Sequence, residues 1–212
     1  MSHNITVLSP MKARDLLCDL YKANEPFFLH GPPGIGKSEV VAQAAAIIGC
    51  NFIVMPPAAC MESVDFKGFL SKVPGKHRSQ YLPPTFWPED PEWEGIVFLD
   101  EFSQGSQETQ AAQAMAIHDR KIGDDFRLPK GIRWILAGNM PEHRAGANKI
   151  LTMVLDRCIH IEMAPDHSDW NQHAIAAGIG VEVRGYLNQF PRDLFDFEPA
   201  AGHLAWATPR GW

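Results

Sequence analysis

The sequence predicts an α/β fold: a central parallel sheet of five strands flanked by helices, followed by a small helical unit. Short apolar runs recur at 27–29, 52–55, 96–99, 134–137 and 158–161, each about a strand long. Runs without polar alternation belong to strands covered on both faces, as in a parallel sheet. Helical patterns fall between these runs, and a Gly/Pro-rich turn, GPPGIGKS, joins the first run to the first strong helix.

In chain order, residues 10–21 form a short helix ahead of the first strand. From Ser38, apolar residues at Val40, Val41, Ala44, Ala45, Ile47 and Ile48 share one helix face, and Gly49 supplies the stop. The proline-rich segment 56–94 is too long for a passive connection, and it is expected to hold a short helix at 59–70 and a functional loop. Residues 107–118 (QETQAAQAMAIH) are strong helix formers without Gly or Pro. After Pro165 the pattern changes to two short helices with no buried strand. The expected division is therefore a nucleotide-binding core at 1–165 and a helical lid at 166–212.

Composition excludes several classes. Hydrophobic residues make up 45% and charged residues 21%, enough for a buried core and unlike a disordered tail. Nineteen basic against twenty-five acidic residues give a formal charge of −6, which argues against a broadly basic nucleic-acid surface. No apolar run approaches the ~18 residues of a membrane span, and the N-terminus lacks a signal-peptide core. Cys18, Cys50, Cys60 and Cys158 show no metal spacing and read as reduced thiols of a cytoplasmic protein. The histidines, His118, His143 and His160 among them, have no ligand-spaced partner.

The chemistry centres on residues 31–38. Gly31, Pro32, Pro33, Gly34, Ile35, Gly36, Lys37 and Ser38 match GxxxxGK[ST] between a strand and a helix, the context of a phosphate-binding loop. Glycines permit torsions that turn successive N–H groups inward around phosphate oxygens, and the following helix adds its positive end. Lys37 is placed for the β- and γ-phosphates, the Ser38 hydroxyl for Mg²⁺, and Glu39, next along the helix, is counted among the nucleotide-binding residues. The run at 96–99 ends in Asp100 and Glu101, where α/β proteins bind ligands. Asp100 suits Mg²⁺, and Glu101 suits polarising a water for in-line attack.

GPPGIGKS, IVFLDE, the AGN ending at Asn139 and the LDR ending at Arg157 together resemble an AAA+ ATPase, a P-loop NTPase fold. The stretch from FLDEF through a short hairpin to IRWILAGN is similar to the MoxR-like ATPases of the dynein-related group. The resemblance covers about 25–165 well and implies Mg-dependent hydrolysis of ATP. It implies Asn139 as sensor 1, orienting the attacking water, and Arg157 as an arginine finger entering the neighbouring subunit's site. Arg210, in the TPRGW ending, resembles the sensor 2 residue that reaches the nucleotide from the lid. In relatives that arginine begins a helix that continues, so the lid is expected to be incomplete and loosely docked. Met140 and Cys158 depart from the family pattern without touching a charge.

The resemblance further implies a ring homo-oligomer, a hexamer in many relatives, acting on a protein client. A von Willebrand factor A-type partner is implied in the same way. A clamp-loader-like or helicase-associated nucleic-acid ATPase is the second reading, and a nucleotide-dependent assembly switch the third. Phe66 and Phe69 around Lys67 stand either as an aromatic pore tooth or as a helix face packed on the sheet. Lys76, His77, Arg78 and Tyr81 form a small basic loop, either client-facing or simply solvated.

Overall fold

A computed structural model describes residues 5–55, 57–58, 61–123, 125–139, 149–198 and 206–212. The elements run β1 (Thr6–Leu8), α1 (Pro10–Asp19), β2 (Phe27–His30), α2 (Lys37–Ile48) and β3 (Asn51–Met55). Then come α3 (Ser63–Lys67), a hairpin of β4 (Phe69–Lys72) and β5 (Ser79–Leu82), and β6 (Glu94–Leu99). Helix α4 (Gln107–Asp119) leads through a second hairpin, β7 (Lys121–Ile122) and β8 (Phe126–Arg127), to β9 (Gly131–Gly138). The chain continues with α5 (Thr152–Leu155), β10 (Ile159–Met163), α6 (His167–Ala176) and α7 (Val181–Gln189).

The main sheet is fully parallel with order β1-β10-β2-β9-β6-β3. It has six strands, one more than the sequence predicts. The added strand is the edge strand β1, three mostly exposed residues paired Thr6 to Ile161 and Leu8 to Met163. So short a run has no apolar signature of its own; only its pairing with β10 makes it a strand.

The apolar runs of β2, β6 and β9 are explained by burial on both faces, whereas on the edge strand β3 Val54 is exposed. Phe27 and Leu29 of β2, Ile96 and Phe98 of β6, and Ile135 and Ala137 of β9 pack with α1 and α2. The alternate residues Phe28, Val97, Leu99, Trp134 and Leu136 pack on the other face with Phe66, Trp87, Phe102 and Ile117. Fully burying such side chains contributes roughly 1.5–3 kcal/mol each. A third cluster of Trp170, Ala174, Leu187 and Leu194, with Trp212 against it, lies within 166–212.

The helix expected at 59–70 is shorter, since α3 ends at Gly68, whose φ of 85° no other residue adopts easily. Its start carries a capping box in which the Glu62 amide donates to the Asp65 carboxylate at 2.9 Å. Phe69 therefore lies on a strand, so the two phenylalanines separate. Phe66 is fully buried edge-on to Trp87, whereas Phe69 is 70% exposed. Cys60, Met140 and His143 lie outside the described residues.

Candidate nucleotide-binding site

Strand order assembles the site. The phosphate loop follows β2, Asp100 and Glu101 follow β6, and Asn139 follows β9, which lies between the other two. Their C-terminal ends converge on one cleft of about 80 Å³, lined by residues 33–38, Asp100, Glu101, Asn139 and Arg210.

Gly36 caps α2 at φ 99°, and Gly34 has φ 75°, so the loop uses torsions that side chains resist. Lys37, the first residue of α2, folds back over this loop. Its Nζ donates to the carbonyls of Gly31 at 2.9 Å and Pro32 at 3.0 Å, and to Asn139 Oδ1 at 3.2 Å. All these acceptors are neutral, and among the described residues no carboxylate lies within ion-pair distance. Burial pushes the ammonium down to about 8, with Arg210 adding to the effect and Asp100 and Glu101 opposing it.

The Ser38 hydroxyl donates to Asp100 Oδ2 at 2.6 Å, and the Glu101 amide donates to Asp100 Oδ1 at 2.8 Å. Both carboxylate oxygens are therefore oriented. Glu101 itself is exposed at the cleft rim with φ 50°, a left-handed backbone that a non-glycine residue adopts only under constraint. The Asn139 amide donates to Ser103 Oγ at 3.4 Å. Gly138 allows this approach, since a Cβ there would sit 3.0 Å from the Phe28 ring and 3.1 Å from Ser103 Oγ.

The C-terminal segment closes one side. The Arg210 amide donates to the Gly34 carbonyl at 3.1 Å, and Trp170 Nε1 donates to the Pro209 carbonyl at 3.2 Å. Residues 209–211 form a turn there, without a helix. A larger cavity of about 410 Å³ adjoins the loop between α1, α2 and α6. This volume lies within the range of small-ligand sites. Asp169 spans it, accepting from the Met11 amide at 2.7 Å. Glu39 faces this cavity rather than the phosphate cleft, with its carboxylate accepting from Gln43 at 2.9 Å.

Arg157 is apart from the cleft. It is exposed, two residues beyond α5, and does not line the pocket of Lys37. Cys158 next to it is half-buried, and burial pushes its thiol up to about 12, which keeps it protonated. Ser103, Gln104 and the second cavity's Met11, Asp169 and His173 carry no signal in the sequence. They lie on helix faces and loops that only folding brings to the loop.

The cleft offers a half-buried cation, a glycine-containing loop at the start of a helix, and a hydroxyl–carboxylate pair, a set that fits a polyphosphate with a hard divalent cation. A family model described as "AAA domain (dynein-related subfamily)" matches residues 26–158. A Cytophaga hutchinsonii protein assigned as an ATPase superposes with TM-score 0.58 at 16% identity, over 84% of this chain and 53% of that one. The Thermotoga maritima RuvB P216G mutant gives TM-score 0.53 at 15% identity, over 78% and 50%. Brucella abortus NtrX in complex with ADP gives 0.51 at 18%, over 80% and 41%. At these identities the likeness concerns the fold alone, and the chain spans about half the length of the structures it matches. Among curated proteins none matches the chain. With the family model covering more than half of the residues, the chain belongs to the AAA domain family of ATPases, in its dynein-related subfamily.

Proposed function

We propose that the protein hydrolyses ATP with Mg²⁺ and works as a MoxR-like ring motor that remodels protein clients. The observation that carries the hydrolytic part is the cleft itself: Lys37 on neutral acceptors only, beside the Ser38–Asp100 pair at 2.6 Å. Ser38 and Asp100 would hold Mg²⁺, which supplies charge neutralisation on the phosphate oxygens when bound. Loop amides and Lys37 bind the β- and γ-phosphates, while Arg210 reaches the same cleft from the lid at 166–212. Glu101, exposed at the rim, accepts the proton of the attacking water, and Asn139 orients that water.

Arg157 serves the neighbouring subunit in this reading. Its exposure away from its own cleft supports a role in trans, as does the family's ring assembly. A hexamer, a protein client and a von Willebrand factor A-type partner rest on the family resemblance. The preference for adenine likewise rests on the family resemblance, and no guanine-reading NKxD motif speaks against it.

The test is steady-state phosphate release with and without Mg²⁺, for the parent and for Glu101→Gln. Parent activity should require Mg²⁺, and the variant should bind ATP normally while losing about a hundredfold or more in turnover. Undiminished turnover in Glu101→Gln removes it as the base.

A further inference from the structure

A pair of histidines on adjacent strands ties the phosphate loop to the loop that carries Arg157. His30, the last residue of β2, directly precedes Gly31 and is 5% exposed. Its Nε2 lies 2.7 Å from His160 Nδ1, and its ring stacks on Phe28 at 4.2 Å. His160, the second residue of β10, uses its other nitrogen: Nε2 lies 2.8 Å from the carbonyl of Leu155, the last residue of α5.

When both rings are neutral, one end of this chain, the Leu155 carbonyl, sets the direction of its hydrogen bonds. A carbonyl only accepts, so His160 Nε2 carries a hydrogen. Neutral His160 then presents a lone pair at Nδ1, and His30 Nε2–H donates to it. The His160 ring thus bridges the start of β10 to the end of α5. Between these two anchors lie only Asp156, Arg157, Cys158 and Ile159, with the Arg157 amide itself held on the Val154 carbonyl at 3.2 Å.

We infer that His160, oriented by His30, is a positioning residue that sets where Arg157 is presented to the neighbouring subunit. The inference rests on the reading of Arg157 as a residue acting in trans. Reaching across an interface demands a fixed base for a long flexible side chain, and a displacement of about 1 Å in a reacting group can cost about a hundredfold in rate. The histidine pair supplies that base, and it joins it to Gly31, whose carbonyl accepts from Lys37 at 2.9 Å.

Subunit mixing tests this. Lys37→Ala subunits lack a working site but carry Arg157; Arg157→Ala subunits have a site but no finger. Mixed rings should regain ATPase activity where the two meet. His30→Phe keeps the stacking ring and removes the hydrogen bond. Placed on the Lys37→Ala parent, it should cut the regained activity about tenfold; on the Arg157→Ala parent, less than about threefold. His30→Gln, which can still present an N–H to His160, should restore most of the loss. His160→Phe should repeat the pattern and replaces His30→Phe if that variant fails to fold by circular dichroism. Equal losses on both parents, or no loss on either, overturn the positioning role while leaving Arg157 in trans. No regained activity in the parental mixture overturns the trans reading and this inference with it.

Discussion

Lys37 is the most informative single residue because its charge has no carboxylate within ion-pair distance among the described residues. Burial lowers it to about 8, so in the free protein about half of it is neutral at pH 8. A bound polyphosphate favours the ammonium and restores the missing proton. The complex therefore holds more protons than the free protein, and affinity falls as pH rises through about 8. ATP binding at pH 8 should take up about half a proton, less at pH 7 and more toward pH 9. Calorimetry in buffers of different ionisation enthalpy reads this directly, and zero uptake at pH 8 contradicts it. Asp100 and Glu101 are adjacent yet placed for different work. The first has both oxygens on donors, whereas the second is exposed on a left-handed backbone.

At the scale of elements, the segment after β3 divides between core and surface. Phe66 is buried on α3 against Trp87, whose Nε1 donates to the Phe66 carbonyl at 3.1 Å, while Phe69 stands exposed on β4. Phe66→Ala should cost about 3–5 kcal/mol in urea unfolding, and Phe69→Ala less than about 0.5 kcal/mol. Comparable losses would place Phe69 in the core as well. The phosphate loop and the C-terminal segment form another such unit. A Cβ on Gly34 would lie 2.6 Å from Thr208 Oγ1, at a φ of 75° that side chains resist. Gly34→Ala should weaken ATP binding at least about tenfold by titration calorimetry, since strain of about 1–3 kcal/mol falls on the loop that holds the phosphates. Unchanged affinity would mean that the segment 206–212 moves aside at little cost. The hairpin of β4 and β5 presents Phe69, Leu70 and Leu82 with Lys76, His77 and Arg78 toward solvent. Of the Phe66–Phe69 pair, the packing-face reading holds for Phe66 on α3 alone, since Phe69 on β4 is exposed.

For the whole molecule, Arg157 lies apart from its own cleft, and the proposed role in trans would make activity a property of the assembly. ATPase activity per subunit should rise with protein concentration, and Arg157→Ala should spare ATP binding while losing about a thousandfold in turnover. Activity that is flat with concentration, in a protein that sizes as a monomer, contradicts a shared site. The formal charge of −6 keeps the nucleic-acid reading secondary. DNA-stimulated turnover with a steep salt dependence would reverse that order.

By itself the sequence determined much of what depends on neighbours along the chain, though not the length of α3. GPPGIGKS announces its loop because only glycine tolerates φ values such as 99° at Gly36. The runs at 27–29 and 96–99 read as buried strands because both faces of the sheet are covered. The acids at 100 and 101 read as ligand-facing because they end such a strand. Only the tertiary structure decided what depends on strand order. It set β9 between β2 and β6, which brings Asn139 within 3.2 Å of Lys37 across 102 positions. It turned three unremarkable residues into the edge strand β1 and brought Thr208 and Asp169 of the last third of the chain against the first. It also joined His30 to His160 across 130 positions. Such contacts leave no local pattern, because long-range pairing in the sheet is set by how whole faces bury one another and not by the residues that end up touching.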